Sequence, residues 1–247
     1  MGIDGLSVVS ILLVSMASIA APSQTRTALN SSRIPTVAQK LQEHHVGLTK
    51  PELLAALQSA EGEVRSLAAT MLADEQATDA IPAILRSMSI ETDPATRLNI
   101  AYALTRLGET RGNTALRESC QDATLVGFIR VRAASYLLTQ HDDSCLEAIE
   151  TLLQSRDDPG TRAQALSILP QYQNLSVSQS RRTKQIVIES LTDADPSVRI
   201  VASETLVALG NSSDIPYLRR AIALERDATV QSDMQSALQR LEKKKRQ

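Results

Sequence analysis

The side chains best suited to metal binding or bond making are few in this chain. His44, His45 and His141 are its histidines and Cys120 and Cys145 its cysteines, gathered in two short clusters, "EHH" and "HDDSC". A zinc or copper site needs three or four converging nitrogen, sulfur or oxygen ligands, and neither cluster has ligand spacing that would supply them. On consecutive helical positions His44 and His45 would point about a quarter-turn apart. There is no phosphate-binding glycine loop, no G-x-S-x-G and no H-E-x-x-H, and three histidines leave few general bases. The expectation is a chain with no catalytic residues, no metal and no cofactor.

Arginine is the residue whose spacing does carry information. "EGEVRSLAATML" (61–72), "DPATRLNIAYAL" (93–104), "DPGTRAQALSIL" (158–169) and "DPSVRIVASETL" (195–206) share one frame. An acidic residue stands four before the arginine, a Val or Thr one before it, and a leucine seven after it. "FIRVRAASYLLT" (128–139) keeps the Val-Arg pair but lacks the acidic residue, and "DATVQSDMQSAL" (227–238) puts Gln231 in the arginine's place. The anchors Arg65, Arg97, Arg132, Arg162, Arg199 and Gln231 are therefore 32, 35, 30, 37 and 32 residues apart, which is two short helices and two turns.

These residues require helices with defined ends. Asp93, Asp158 and Asp195 are suited to N-caps, and Pro94, Pro159 and Pro196 to the first helical position, where no amide donor is needed. Gly108 and Gly210 lie eleven residues after their arginines, where a left-handed C-cap would end the first helix. Pro82 and Pro216 lie seventeen after theirs and suit the first turn of the second. "AIPAILRSM", "CLEAIETLL", "KQIVIESLT" and "IPYLRRAIAL" place apolar residues three and four apart, as one face of a helix does. Thr49 and Glu52 form a capping-box pattern at the start of an incomplete first repeat or N-terminal cap.

The pattern D-P-x-V-R-x-x-A-x-x-x-L-x-x-L-G, clearest in Asp195 to Gly210, resembles the short bacterial HEAT repeats related to those of phycocyanobilin lyases, over residues 48–242. The resemblance implies an all-α fold, an α-solenoid wound as a right-handed superhelix of HEAT-like helix pairs, with about five repeats plus caps. It also implies that the acidic residue and the arginine bond from repeat to repeat. Arg65, Arg97, Arg162 and Arg199 would then form a structural ladder with Asp93, Asp158, Asp195 and their neighbours, broken at Arg132. In that family the second helices line the concave surface. Arg86, Arg117, Arg181, Arg182, Arg219 and Arg220, about twenty residues after their anchors, would make a basic stripe for an acidic partner. The plainer reading is a solvated helix face with i,i+4 pairs.

The same frame bears on the cysteines. Cys120 lies near the end of its second helix and Cys145 near the start of the next, so in-register stacking would part them by about 15 Å. Two free, mostly buried thiols are expected, although an exported chain would favour a bridge.

Composition narrows the partners. With 26 basic and 28 acidic residues the net charge is −2, and the rings are Phe128 and four tyrosines, so no nucleic acid is expected. The basic tail, residues 243–247, suits a helix C-terminus. The apolar run from Leu6 to Ala21, with Ser18 and Ala20 at positions suited to signal-peptidase cleavage, reads as an export signal over residues 1–21. Its alternative is an uncleaved anchor, the one route to a membrane. Residues 22–47 read as a linker that can include an N-terminal helix. Together these features describe a secreted or periplasmic scaffold or adaptor that binds a protein or peptide. The resemblance also offers a bilin-lyase-type or other enzyme accessory activity.

Overall fold

The computed structural model of the protein describes residues 35–155 and 158–244, so the apolar run Leu6–Ala21 and most of the basic tail lie outside the described residues. Among those residues the chain is helical throughout, without a strand. Two short helices come first, α1 (Val37–Glu43) and α2 (Lys50–Ala56). Five helix pairs follow. They are α3 (Gly62–Asp74) with α4 (Ile81–Ile90), α5 (Pro94–Arg106) with α6 (Thr110–Gln121), and α7 (Gly127–Leu138) with α8 (Leu146–Gln154). After these come α9 (Pro159–Ile168) with α10 (Val177–Ser190), and α11 (Pro196–Leu209) with α12 (Ile215–Leu224). A longer helix, α13 (Ala228–Lys244), closes the array.

The first helices pack on one another in succession, α3 on α5, α5 on α7, α7 on α9, α9 on α11 and α11 on α13, while the second helices cover them as another layer. This is an α-solenoid, in which each unit finishes its core on its neighbours. No helix among the described residues is long and apolar enough to cross a membrane.

Local chemistry sets the helix starts. Asp93 Oδ2 accepts the Thr96 N–H at 2.7 Å, Asp158 Oδ2 that of Thr161 at 2.9 Å, and Asp195 Oδ1 that of Ser197 at 2.9 Å. Each cap is followed by proline at the first turn, and the Glu52 carboxylate accepts the Thr49 N–H at 3.0 Å ahead of α2. Beyond the caps, the repeated apolar positions make the core. Leu72, Leu104, Leu169 and Leu206, each seven after its anchor, are fully buried, and so are Ala68, Ala165 and Ala202, three after theirs. Leucine fills the space between layers and alanine lets the stacked helices approach closely.

The helix ends depart from expectation in one place. Gly108 adopts the left-handed conformation at φ 79°, as does Gln76, the equivalent residue one repeat earlier. Gly210 does not: its φ is −84° and its ψ 174°, extended backbone. Glycine is required there for room, because a Cβ would collide with the Leu206 carbonyl oxygen and lie 3.0 Å from Asp214 Oδ2.

Candidate functional site

Three of the anchor arginines each hold a carboxylate at the end of the following second helix. Arg199 Nε donates to Glu225 Oε2 at 2.6 Å and Nη2 to Oε1 at 3.0 Å, while Nη1 donates to the carbonyls of Asp193 and Ala194 at 3.0 and 3.1 Å. Arg65 repeats the arrangement, with Nε on Glu91 Oε2 at 2.8 Å and Nη1 on the Ser59 and Ala60 carbonyls. Arg162 holds Asp193 with two bonds, 3.1 and 2.7 Å long. In Arg65 and Arg199 one guanidinium thus joins the carbonyls at the end of one helix to the carboxylate at the end of the next second helix. The cap aspartates Asp93, Asp158 and Asp195 are not the partners, since their carboxylates face the amides of their own helices.

The true partners Glu91, Asp193 and Glu225 each stand two residues before a cap aspartate, in "ETDP", "DADP" and "ERDA". That E/D-x-D pattern is the signal a sequence reading needed. Where it fails, the joint changes. Position 156, two before Asp158, is an arginine, and the copy at Phe128 has no cap aspartate at all. Accordingly the Arg97 side chain has no hydrogen bond or ion pair among the described residues and lines an open crease of about 470 Å³ with Glu118 and Asp122. Arg132 turns to Tyr136 instead, donating from Nε to its hydroxyl at 3.0 Å.

Two of the partner carboxylates, Glu225 and Glu91, are held ionised. Glu225 is drawn down to about 2, first by the hydrogen bond from Arg199, with the backbone amides of Asp227 and Arg226 adding to it against the cost of burial. At Glu91 burial is the largest influence and opposes ionisation. The Asp93 amide, Arg65 and the Thr92 amide together outweigh it, so its carboxyl also lies below the usual range.

The second helices have ties of their own, which divide the expected basic stripe. Arg117 pairs with Asp142 at 2.6 Å, Arg182 binds the buried Glu150 at 2.5 Å, and Arg219 meets Glu242 at 2.6 Å. Arg86, Arg181 and Arg220 are exposed, with no side-chain partner among the described residues. Half of the stripe is engaged within the chain, and three separated cations face solvent.

The cysteines correct the expected register. Cys120, near the end of α6, and Cys145, the N-cap of α8, form a buried disulfide with Cα atoms 6.1 Å apart, where two free thiols were expected. What fails is the assumption that successive second helices lie side by side in step. The end of α6 meets the start of α8, and the Arg117–Asp142 pair, three residues before each cysteine, marks the same junction. Arg130 Nε adds a bond to the Cys120 carbonyl at 3.1 Å.

A family model for HEAT repeats matches residues 51–137 and again 146–239, most of the chain. The chain belongs to the HEAT-repeat family. Solved structures with similar helix arrays include human deoxyhypusine hydroxylase in complex with glycerol, 20% identical over 78% of this chain and 73% of that one, with a TM-score of 0.42. An engineered protein is 19% identical over 78% of this chain and 96% of its own, TM-score 0.46. The complex of CpcE and CpcF of phycocyanin lyase from Nostoc sp. PCC7120 is 16% identical over 89% and 100%, TM-score 0.37. A search of curated proteins returns no match.

Within this HEAT array two of the three histidines stand at left-handed helix ends. His45 and His141 both adopt φ 58°, just past the ends of α1 and α7, where Gln76 and Gly108 stand after α3 and α5. His44 Nδ1 lies 2.9 Å from Glu61 Oε2. No three His, Cys, Asp or Glu side chains among the described residues are grouped to hold a metal ion.

One further surface stands out on the first-helix face. Tyr102 of α5 and Tyr136 of α7 stack in parallel with centroids 4.0 Å apart, and the Tyr136 hydroxyl donates to Asn99 Oδ1 at 3.0 Å. They line a trough of about 440 Å³ reaching from Lys40 on α1 to Arg132 on α7.

Proposed function

We propose that this HEAT-repeat chain is a non-catalytic scaffold or adaptor of an exported compartment, binding a protein or peptide on its solenoid surface. The observation that carries the reading is the succession of five helix pairs. Their buried side chains serve to join neighbours, which leaves the outer faces of both layers open to a partner. Most of the distinctive charged residues, Arg65, Arg162, Arg199, Arg117 and Arg182 among them, are committed to these joints rather than to a reaction centre. A buried Cys120–Cys145 disulfide supports an oxidising compartment, since such bonds form and persist outside the reducing cytosol. A net charge of −2 argues for a protein partner over nucleic acid.

Affinity capture from the native envelope fraction, followed by mass spectrometry, tests the binding role. A stoichiometric partner is expected, and recovery of chaperones alone would count against a stable scaffold. Thiol alkylation of protein from each cell fraction tests the compartment: an unmodified, bridged chain is expected in the exported fraction, and a fully alkylated one would sink the export reading.

A further inference from the structure

We propose that the trough across α1, α3, α5 and α7 docks an extended partner polypeptide segment, whose aspartate or glutamate carboxylate binds the guanidinium of Arg132. The proposal rests on the scaffold reading above and gives it a site and a ligand chemistry.

Arg132 is set up for such a contact. The structural anchors Arg65, Arg162 and Arg199 each hold a carboxylate, whereas Arg132 has none among the described residues. Its Nε is used on the Tyr136 hydroxyl, its guanidinium carbon lies 5.5 Å from the Tyr136 ring centre, and its Nη1 and Nη2 have no hydrogen-bond partner among the described residues. Tyr136 is itself held by Asn99 and by the stack on Tyr102. The fork is therefore fixed in direction before any ligand arrives, which reduces the ordering cost of binding. Two free, coplanar N–H groups match the two oxygens of a carboxylate.

The surroundings select the occupant. Glu63 is the one carboxylate lining the trough, and Lys40 takes it at 3.2 Å, leaving Arg132 uncompensated. Two of the chain's five rings lie here and offer edges for apolar side chains next to the acidic one. The trough crosses three helix-to-helix contacts, roughly 25–30 Å at 8–10 Å each, so an extended peptide would occupy it with about eight residues. A polyanion such as nucleic acid would need an array of cations, and only one is free here.

The test is to pan a displayed random octapeptide library on the purified chain and measure the synthetic winners by fluorescence anisotropy. Enriched peptides are expected to share an acidic position. Arg132→Gln should weaken them about tenfold or more, and Arg132→Lys, which keeps the charge but loses the fork, by less. Arg219→Gln/Arg220→Gln on the other helix layer should leave them unchanged, and unaltered melting curves would show that the variants fold. Winners without a common acid, unchanged affinity for Arg132→Gln, or no winners at all would each overturn the proposal. Capture from the envelope fraction with wild type and Arg132→Gln separates the two readings. A partner retained by both leaves the scaffold standing and removes the trough, whereas no partner for either removes the scaffold.

Discussion

Arg199 on α11 and Glu225 at the end of α12 form a bidentate pair, 2.6 and 3.0 Å long, in which the carboxylate is almost wholly buried. The arginine's remaining nitrogen holds the carbonyls of Asp193 and Ala194. Arg199→Ala would strip a buried carboxylate of its counter-ion and leave two carbonyls without their donor. Breaking one side of such a pair costs about 3–5 kcal/mol. A clear drop in the midpoint of chemical unfolding is expected, and a midpoint equal to wild type would remove the arginine from the joint between repeats.

Glu225 also makes stability depend on acid. Its folded pKa, about 2, lies below the ordinary 4.5, so the folded state favours the ionised form. The resulting stabilisation is complete above about pH 5 and is lost as pH falls toward 2; roughly 2–3 kcal/mol is at stake. Glu225→Gln should lower stability at pH 7 and flatten its fall between pH 5 and 2, read by denaturant titration at each pH. Parallel curves for variant and wild type would show that other carboxylates govern the acid limb.

Arg97 occupies the same frame position as Arg199 but lacks the carboxylate. Arg97→Ala should therefore change stability by less than about 1 kcal/mol, as for an ordinary surface charge. A loss comparable to that of Arg199→Ala would mean that the crease with Glu118 and Asp122 closes around Arg97 in solution.

The contrast between these arginines shows what the chain discloses before folding. Caps and core are local: Asp195, Pro196 and Leu206 act within their own helix, so periodicity exposes them. The partner of an arginine stands 26 or 31 residues on, at the end of the following second helix, and its only mark in the sequence is that Glu91, Asp193 and Glu225 precede the next cap position by two. The Cys120–Cys145 bond was hidden for a different reason. It depends on how α6 and α8 are offset, which is decided by packing between layers and leaves no periodic trace. The Tyr102–Tyr136 stack was equally illegible, because the two rings come from separate helices and share no motif.

The disulfide lies where the arginine joints lapse. Between the Arg65–Glu91 and Arg162–Asp193 pairs, neither Arg97 nor Arg132 holds a carboxylate among the described residues, and Cys120–Cys145 spans that interval from α6 to α8. A covalent tie closing a loop of this sequence separation, 25 residues, stabilises by about 2–4 kcal/mol, chiefly by restricting the unfolded chain. Cys120→Ala/Cys145→Ala should therefore lower the unfolding midpoint. Hydrogen exchange should rise most in α6, α7 and α8, because in a stacked array a weakened joint is felt first by its neighbours. Under reducing conditions wild type should approach the variant. If exchange instead increased evenly from α3 to α13, the array would unfold as one body, and the bond would not be a local substitute for the missing arginine pairs.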